Sequence, residues 1–129
     1  MLSIQNINKT IKDKNIVNNI SFEVPSGCIS GLLGPNGAGK TTTFYIIAGL
    51  IKADKGDIFL GDENVSSFAM HKRSKMGIKY LPQEPSIFQN LSVYENLLGL
   101  AELSFKRKED IENFITNSIE EFNLSEILN

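Results

Sequence analysis

Gly34-Pro35-Asn36-Gly37-Ala38-Gly39-Lys40-Thr41 satisfies every fixed position of the pattern G-x-x-x-x-G-K-[ST], and no other stretch constrains the fold of this chain as much. Immediately before it, Ile29 to Leu33 is a short apolar run of strand length. After it, Thr41 to Leu50 reads as a helix carrying Phe44, Ile47, Ala48 and Leu50 on its apolar positions. The predicted order is strand, glycine loop, helix, the context that turns this pattern into a phosphate-binding loop. Glycine at 34, 37 and 39 lets successive backbone N–H groups converge on phosphate oxygens, and the following helix points its positive end the same way. On this reading Pro35, Asn36, Ala38 and Thr42 complete the nucleotide-binding stretch. Lys40 places a compact cation on the β- and γ-phosphates of ATP, and the Thr41 hydroxyl ligates the Mg²⁺ that bridges them.

Composition narrows the class. At 129 residues and 41% hydrophobic content the chain is the size of one soluble domain with an ordinary core. No run approaches the roughly 18 apolar residues of a membrane span, and Met1 to Asn6 lacks a basic region followed by an apolar stretch. A cytoplasmic protein without a secretory signal is the expectation. Cys28 and His71 are each the sole residue of their type, so neither an internal disulfide nor a clustered zinc site is expected. The net charge of −2 supplies no general field for nucleic acid, and no nucleic-acid partner is expected. Two basic clusters, His71-Lys72-Arg73-Ser74-Lys75 and Lys106-Arg107-Lys108, lack interleaved aromatics and read as solvated helix surface.

Along the chain, Leu2 to Ile7 and Val17 to Val24 alternate as strands around the polar turn Lys12-Asp13-Lys14-Asn15, which predicts an antiparallel hairpin. Asp57 to Leu60 and Gly77 to Leu81 read as further strands, the second stopped by Pro82, with a helical segment near Ser66 to Lys75 between them. Ser92-Val93-Tyr94-Glu95 is a capping box opening a helix to Leu103, and Ile111, Phe114, Ile115, Ile119 and Phe122 recur at helical spacing as a core stripe. Ile58-Phe59-Leu60-Gly61-Asp62-Glu63 has the outline of an apolar strand ending in a catalytic Asp-Glu pair, but glycine breaks the run, and an exposed turn is expected.

The loop with its asparagine and alanine fillings, the hairpin ahead of it, Thr42, and Tyr80-Leu81-Pro82-Gln83 together resemble the ATPase domain of ABC transporters. Within that family, Thr43-Phe44-Tyr45, the stretch from Gly77 to Phe88, and Leu91-Ser92-Val93-Tyr94-Glu95-Asn96-Leu97 resemble the lipopolysaccharide-export group. The resemblance covers the whole chain but corresponds to only the first half of such a domain. It implies an α/β phosphate-loop NTPase fold, in part. An N-terminal antiparallel hairpin and phosphate-loop core extend to about residue 83, and the glutamine loop and the beginning of a helical subdomain follow from 83 to 129.

The family pattern assigns Lys40 and Gln83 to catalysis, with Gln83 sensing Mg²⁺ and the attacking water. It assigns Glu84 to Leu97 to the transmembrane subunits, with Pro85, Ile87 and Phe88 as apolar contacts. A second ATPase subunit is implied, two subunits sandwiching two ATPs on the cytoplasmic face of the inner membrane. Leu124-Ser125 is followed by Glu126-Ile127 rather than by the family's Gly-Gly signature, and His71 precedes the glutamine loop and so cannot match the switch histidine. This chain is therefore expected to bind nucleotide without turning it over alone. Where the family places an aromatic against adenine stands Ile11, so phosphate contacts are expected to dominate affinity. A branched-chain amino-acid importer ATPase, a soluble ABC-type ATPase and a non-catalytic nucleotide-binding module share the loop and stay open as alternatives at this point.

Overall fold

The computed structural model describes residues 1–128, which form two compact units, one of Met1–Tyr80 and one beginning at Leu81. The first unit is built on an antiparallel sheet of order β2-β1-β3-β4, with β1 Leu2–Ile11, β2 Lys14–Val24, β3 Lys55–Leu60 and β4 Glu63–Asn64. Lys12 and Asp13 both adopt positive φ (47° and 62°), the backbone that a two-residue hairpin turn requires to match strand twist. The hairpin is longer than the sequence predicts because bulges carry it past Ile7. Asn6 and Asn19 take left-handed conformations on facing strands, and the Asn6 side-chain amide donates to Asn19 Oδ1 at 3.0 Å.

Helix α1, Lys40–Ala48, packs on this sheet. Ile46 from α1 joins Ile4, Ile7, Val17, Ile58 and Val65 in a fully buried cluster. Burial of each such aliphatic side chain is worth about 1.5–3 kcal/mol, so this cluster is the main term holding α1 to the sheet. The helical segment that follows is shorter than the pattern suggests, α2 spanning only Met70–Lys75. Ser66 is drawn into a turn instead, its N–H donating to Asn64 Oδ1 and its hydroxyl accepting from the Ile58 N–H.

Two expected strands are not strands. Ile29 to Leu33 and Gly77 to Leu81 pair with no strand among the described residues, and Ile29, Leu33 and Leu81 are exposed. A strand needs a neighbour for its backbone N–H and C=O groups, and no strand among the described residues supplies one to either run. A cleft of ≈ 940 Å³ lined by Phe22, Val24, Leu32, Phe44, Ile47 and Ile78, among others, lies along this side of the unit. Asp62 is exposed in a turn and Glu63 is exposed on β4, as expected for the rejected Asp-Glu pair.

One of the two basic clusters departs from a solvated surface. His71, Lys72 and Lys75 are exposed, with Lys72 Nζ 3.2 Å from the centroid of the Phe68 ring, but Arg73 is only 2% exposed. It turns inward because backbone carbonyls await it there. Lys106-Arg107-Lys108 stays on the surface, where Arg107 forks onto Asp110 at 2.8 Å through both Nε and Nη2.

In the second unit, α3 Val93–Ser104 packs with α4 Lys108–Glu121. The capping box is present: the Ser92 hydroxyl accepts from the Glu95 N–H at 3.2 Å and the Ser92 N–H donates to Glu95 Oε2 at 2.8 Å. Those bonds hold the Glu95 carboxyl below its ordinary range, the Ser92 backbone N–H contributing most. Of the apolar stripe, Ile115 is buried and Phe114 meets Phe105 at 5.6 Å, while Phe122 is exposed.

Asp54, after α1, fastens that turn to β1. Its carboxylate accepts from Lys9 Nζ and from the Thr10 N–H, each at 2.7 Å, and its own N–H donates to Asn8 O. Lys9 first and the Thr10 N–H second lower its pKa. A carboxylate depressed in the folded state contributes stability above its unfolded pKa of about 4, and that contribution is lost as pH falls through the folded value. Asp54→Asn is therefore expected to lower the urea midpoint at pH 7, with the gap to wild type closing in acid; a gap independent of pH contradicts this reading.

Candidate functional site

The glycine loop runs from Gly34 into the N-terminus of α1, and Gly39 makes the transition. Its φ of 83° and ψ of 8° place it in the left-handed region as the N-cap residue. A Cβ there would overlap the Ile16 carbonyl oxygen of β2, so the helix start is pressed against the sheet at a point where only glycine fits. Gly37 also has a φ of 83°, but a Cβ on it would meet open space. It therefore supplies conformation, and Gly39 supplies conformation and close approach.

Thr43 locks the first turn. It is 1% exposed, and both its hydroxyl, at 2.9 Å, and its N–H, at 2.8 Å, donate to Gly39 O. In the sequence Thr43 stands out only through the family resemblance; a hydroxyl four residues after a loop glycine is the local signal for this bond. No side chain caps α1 and no acidic residue lies in its first turn. The leading N–H groups of a helix have no intrahelical acceptor, so this end presents donors and a positive dipole to an anion from outside.

Lys40 folds back over the loop, its ammonium donating to Gly34 O at 2.6 Å and Pro35 O at 2.7 Å. The Ala38 N–H donates to Pro35 O at 3.2 Å. Asn36, Thr41 and Gly34 are exposed, and Thr42 is half-buried. The donor set of the loop is thus backbone N–H, ammonium and hydroxyl with no carboxylate, a composition that fits polyphosphate. Thr41 offers a hard oxygen suited to Mg²⁺. Among the described residues no group of three or more His, Cys, Asp or Glu could hold a metal, so a divalent ion here would take most of its ligands from phosphate and water.

Gln83 belongs to the second unit, exposed in an irregular stretch before α3. The segment beyond it is organised by Asn96. Its side-chain oxygen accepts from the Phe88 N–H, and its amide donates to the Phe88, Leu91 and Ser92 carbonyls. Ile87 and Phe88 are left exposed on this braced loop. Ile11, at the end of β1, is exposed as well.

This chain matches the family described as ABC transporter over residues 17–129. It belongs to the ABC transporter family. It is 46% identical over 98% of its length to the lipopolysaccharide export system ATP-binding protein LptB of Haemophilus influenzae, and 44% identical over 98% to that of Escherichia coli K12. In both comparisons this ABC-family chain covers 53% of the relative, so it spans about half the length of the curated relatives it matches. Among solved structures, an ATP-binding cassette of an ABC transporter superposes with a TM-score of 0.84 at 24% identity, covering 98% of this chain and 55% of that one. A dimeric cassette bound to ADP and Pi superposes at 0.82 and 19% identity, covering 100% of this chain and 60% of that one. The fold is that of part of an ABC-type ATPase domain, with the antiparallel hairpin sheet and the first helices in place.

The two loop glycines separate by substitution. Gly37→Ala is expected to cost about 1–2 kcal/mol, the strain of a left-handed alanine. Gly39→Ala adds the collision with Ile16 O and is expected to cost clearly more, read as urea midpoints of the two variants side by side. Equal costs would mean that the Ile16 contact does not restrain the loop.

Proposed function

We propose that the protein is the ATP-binding subunit of an ABC transporter that couples ATP hydrolysis to export of lipopolysaccharide. The observation that carries this reading is the uncapped, carboxylate-free loop at the head of α1, in a chain 44–46% identical to LptB proteins over nearly its whole length. Gly34 to Thr42 hold the phosphates, with backbone N–H groups and the α1 dipole facing them. Lys40 exchanges its bonds to Gly34 O and Pro35 O for bonds to the β- and γ-phosphates. Thr41 would offer its hydroxyl oxygen to Mg²⁺, which would supply neutralisation of phosphoryl charge, and the family resemblance assigns Gln83 to the same ion. Gln83 orients the attacking water. Ile11 gives adenine an aliphatic surface rather than an aromatic one, so the phosphates supply most of the affinity.

The phosphate-loop core extends to about residue 83, and the glutamine loop and the start of the helical subdomain follow. The exposed Ile87 and Phe88, on the loop braced by Asn96, suit an apolar helix of a transmembrane subunit docking along Glu84 to Leu97. No helix among the described residues is long and apolar enough to cross a membrane, and the proposed place of the subunit is the cytoplasmic face of the inner membrane, held there by those partners. A second ATPase subunit would supply the signature that faces this loop. The apolar, unpaired Ile29 to Leu33 run suits a strand completed by parallel neighbours from the rest of the domain.

In the full-length protein, Lys40→Ala is expected to reduce ATP turnover at least 10²-fold, the order seen when one preorganised donor is lost from such a site. Chelation of Mg²⁺ should abolish turnover in wild type. Hydrolysis by the Lys40 variant near the wild-type rate would remove Lys40 from this role, and co-purification with ribosomes rather than with membrane subunits would replace the transporter reading.

A further inference from the structure

Arg73 is a buried cation that pairs with no carboxylate among the described residues. Its guanidinium makes four hydrogen bonds, all to backbone carbonyls: Nη1 to Ile46 O and Ile47 O at 2.7 Å, Nε to Phe68 O at 2.8 Å, and Nη2 to Ser66 O at 2.9 Å. Ile46 and Ile47 lie in the last turn of α1, so the cation sits at the negative end of the helix whose positive end forms the phosphate loop. Simple capping does not require it. The Gly49 N–H already donates to Ile46 O and the Leu50 N–H to Tyr45 O, the usual closure of a helix ending in a left-handed glycine.

The same residue sits at a junction. Gly49, at φ 84°, has no room for a side chain because a Cβ would come within 3.0 Å of Met70 N and 3.1 Å of Arg73 Nε. The Arg73 carbonyl accepts the Ile78 N–H at 3.0 Å, and the extended segment beyond it brings Tyr80 edge-on to Tyr45 of α1 at 5.9 Å. One residue thereby ties the far end of α1 to the turn at 66–68 and to the segment leading out of α2. Burial pushes its pKa down, a desolvation cost that an apolar residue in the same space would avoid. A planar fork of donors can hold carbonyls from separate segments at fixed angles, which an ammonium cannot.

We propose that Arg73 is a positioning residue for the phosphate site: by clamping the C-terminal carbonyls of α1 it fixes the helix axis, and with it the aim of the loop N–H groups and Lys40 at the nucleotide phosphates. This inference rests on the reading of the loop as an ATP site. The role is reciprocal. If the clamp favours bound nucleotide, nucleotide must strengthen the clamp by the same factor.

The test uses full-length protein with MgATP as the probe and Lys40→Ala as the site control. Arg73→Lys, which keeps the charge and loses the fork, is expected to raise the MgATP Kd about 10-fold, or ~1.4 kcal/mol, while still melting cooperatively. In wild type, MgATP is expected to slow hydrogen exchange at Arg73 Nε–H, a readout that needs no variant and stands if Arg73→Lys fails to fold. A folded Arg73→Lys with wild-type Kd, or Nε–H exchange unchanged by saturating MgATP, overturns the proposal. Wild type and Lys40→Ala binding MgATP equally would instead overturn the ATP-site reading itself.

Discussion

The placement of the glycine loop rests first on the backbone of Gly39 seated against the Ile16 carbonyl of β2. Val17, the next residue of β2, is fully buried beside it, and Ile46 fills the same core from α1. The loop is therefore held between two rigid elements rather than hanging from one. Thr43 adds a second fastening by closing the first helical turn onto Gly39 O. The head of α1 is then left without a side-chain cap, so its donors stay open toward the loop. A fold that fixes the loop backbone while leaving the head of α1 without a side-chain cap suits the anion site proposed above.

The ends of α1 are treated oppositely. At the N-terminus the loop is exposed and carries Lys40 on its own carbonyls, a partner set that phosphate oxygens can replace. At the C-terminus the carbonyls are buried and met by the Arg73 guanidinium. Charge is thus placed to favour the helix dipole at the buried end, and left adjustable at the open end. The core cluster between them, centred on Ile4, Ile7, Ile46 and Ile58, keeps the two ends in one rigid frame.

Much of this was legible in the residues, and the exceptions have physical causes. The hairpin, the capping box and the left-handed Gly37 and Gly39 follow from alternation, local hydrogen-bonding chemistry and the absence of a Cβ, all of which act over a few residues, whereas Gly34 does not take the left-handed conformation expected of the three loop glycines. The bulges at Asn6 and Asn19 were not legible, because they depend on side chains pairing across strands. Ile29 to Leu33 reads as a strand, but a strand is a statement about neighbours, and none among the described residues pairs with it. Arg73 sits in a run of basic residues that reads as solvated surface; its acceptors at Ile46 and Ile47 lie far off in sequence, and no periodicity points to them. At the candidate site the loop pattern points to Gly34 to Thr42, whereas Thr43 and Asn96 emerge only from the hydrogen bonds they make.

The proposed function has the loop taking polyphosphate, with the phosphates rather than the base carrying the affinity. A competition series against a fluorescent ATP analogue on the full-length protein in Mg²⁺ tests it most directly. ATP, ADP and inorganic tripolyphosphate are all expected to displace the analogue, AMP much more weakly, and adenosine not at any practical concentration. Displacement by adenosine as effective as by ATP, with tripolyphosphate inert, would contradict it.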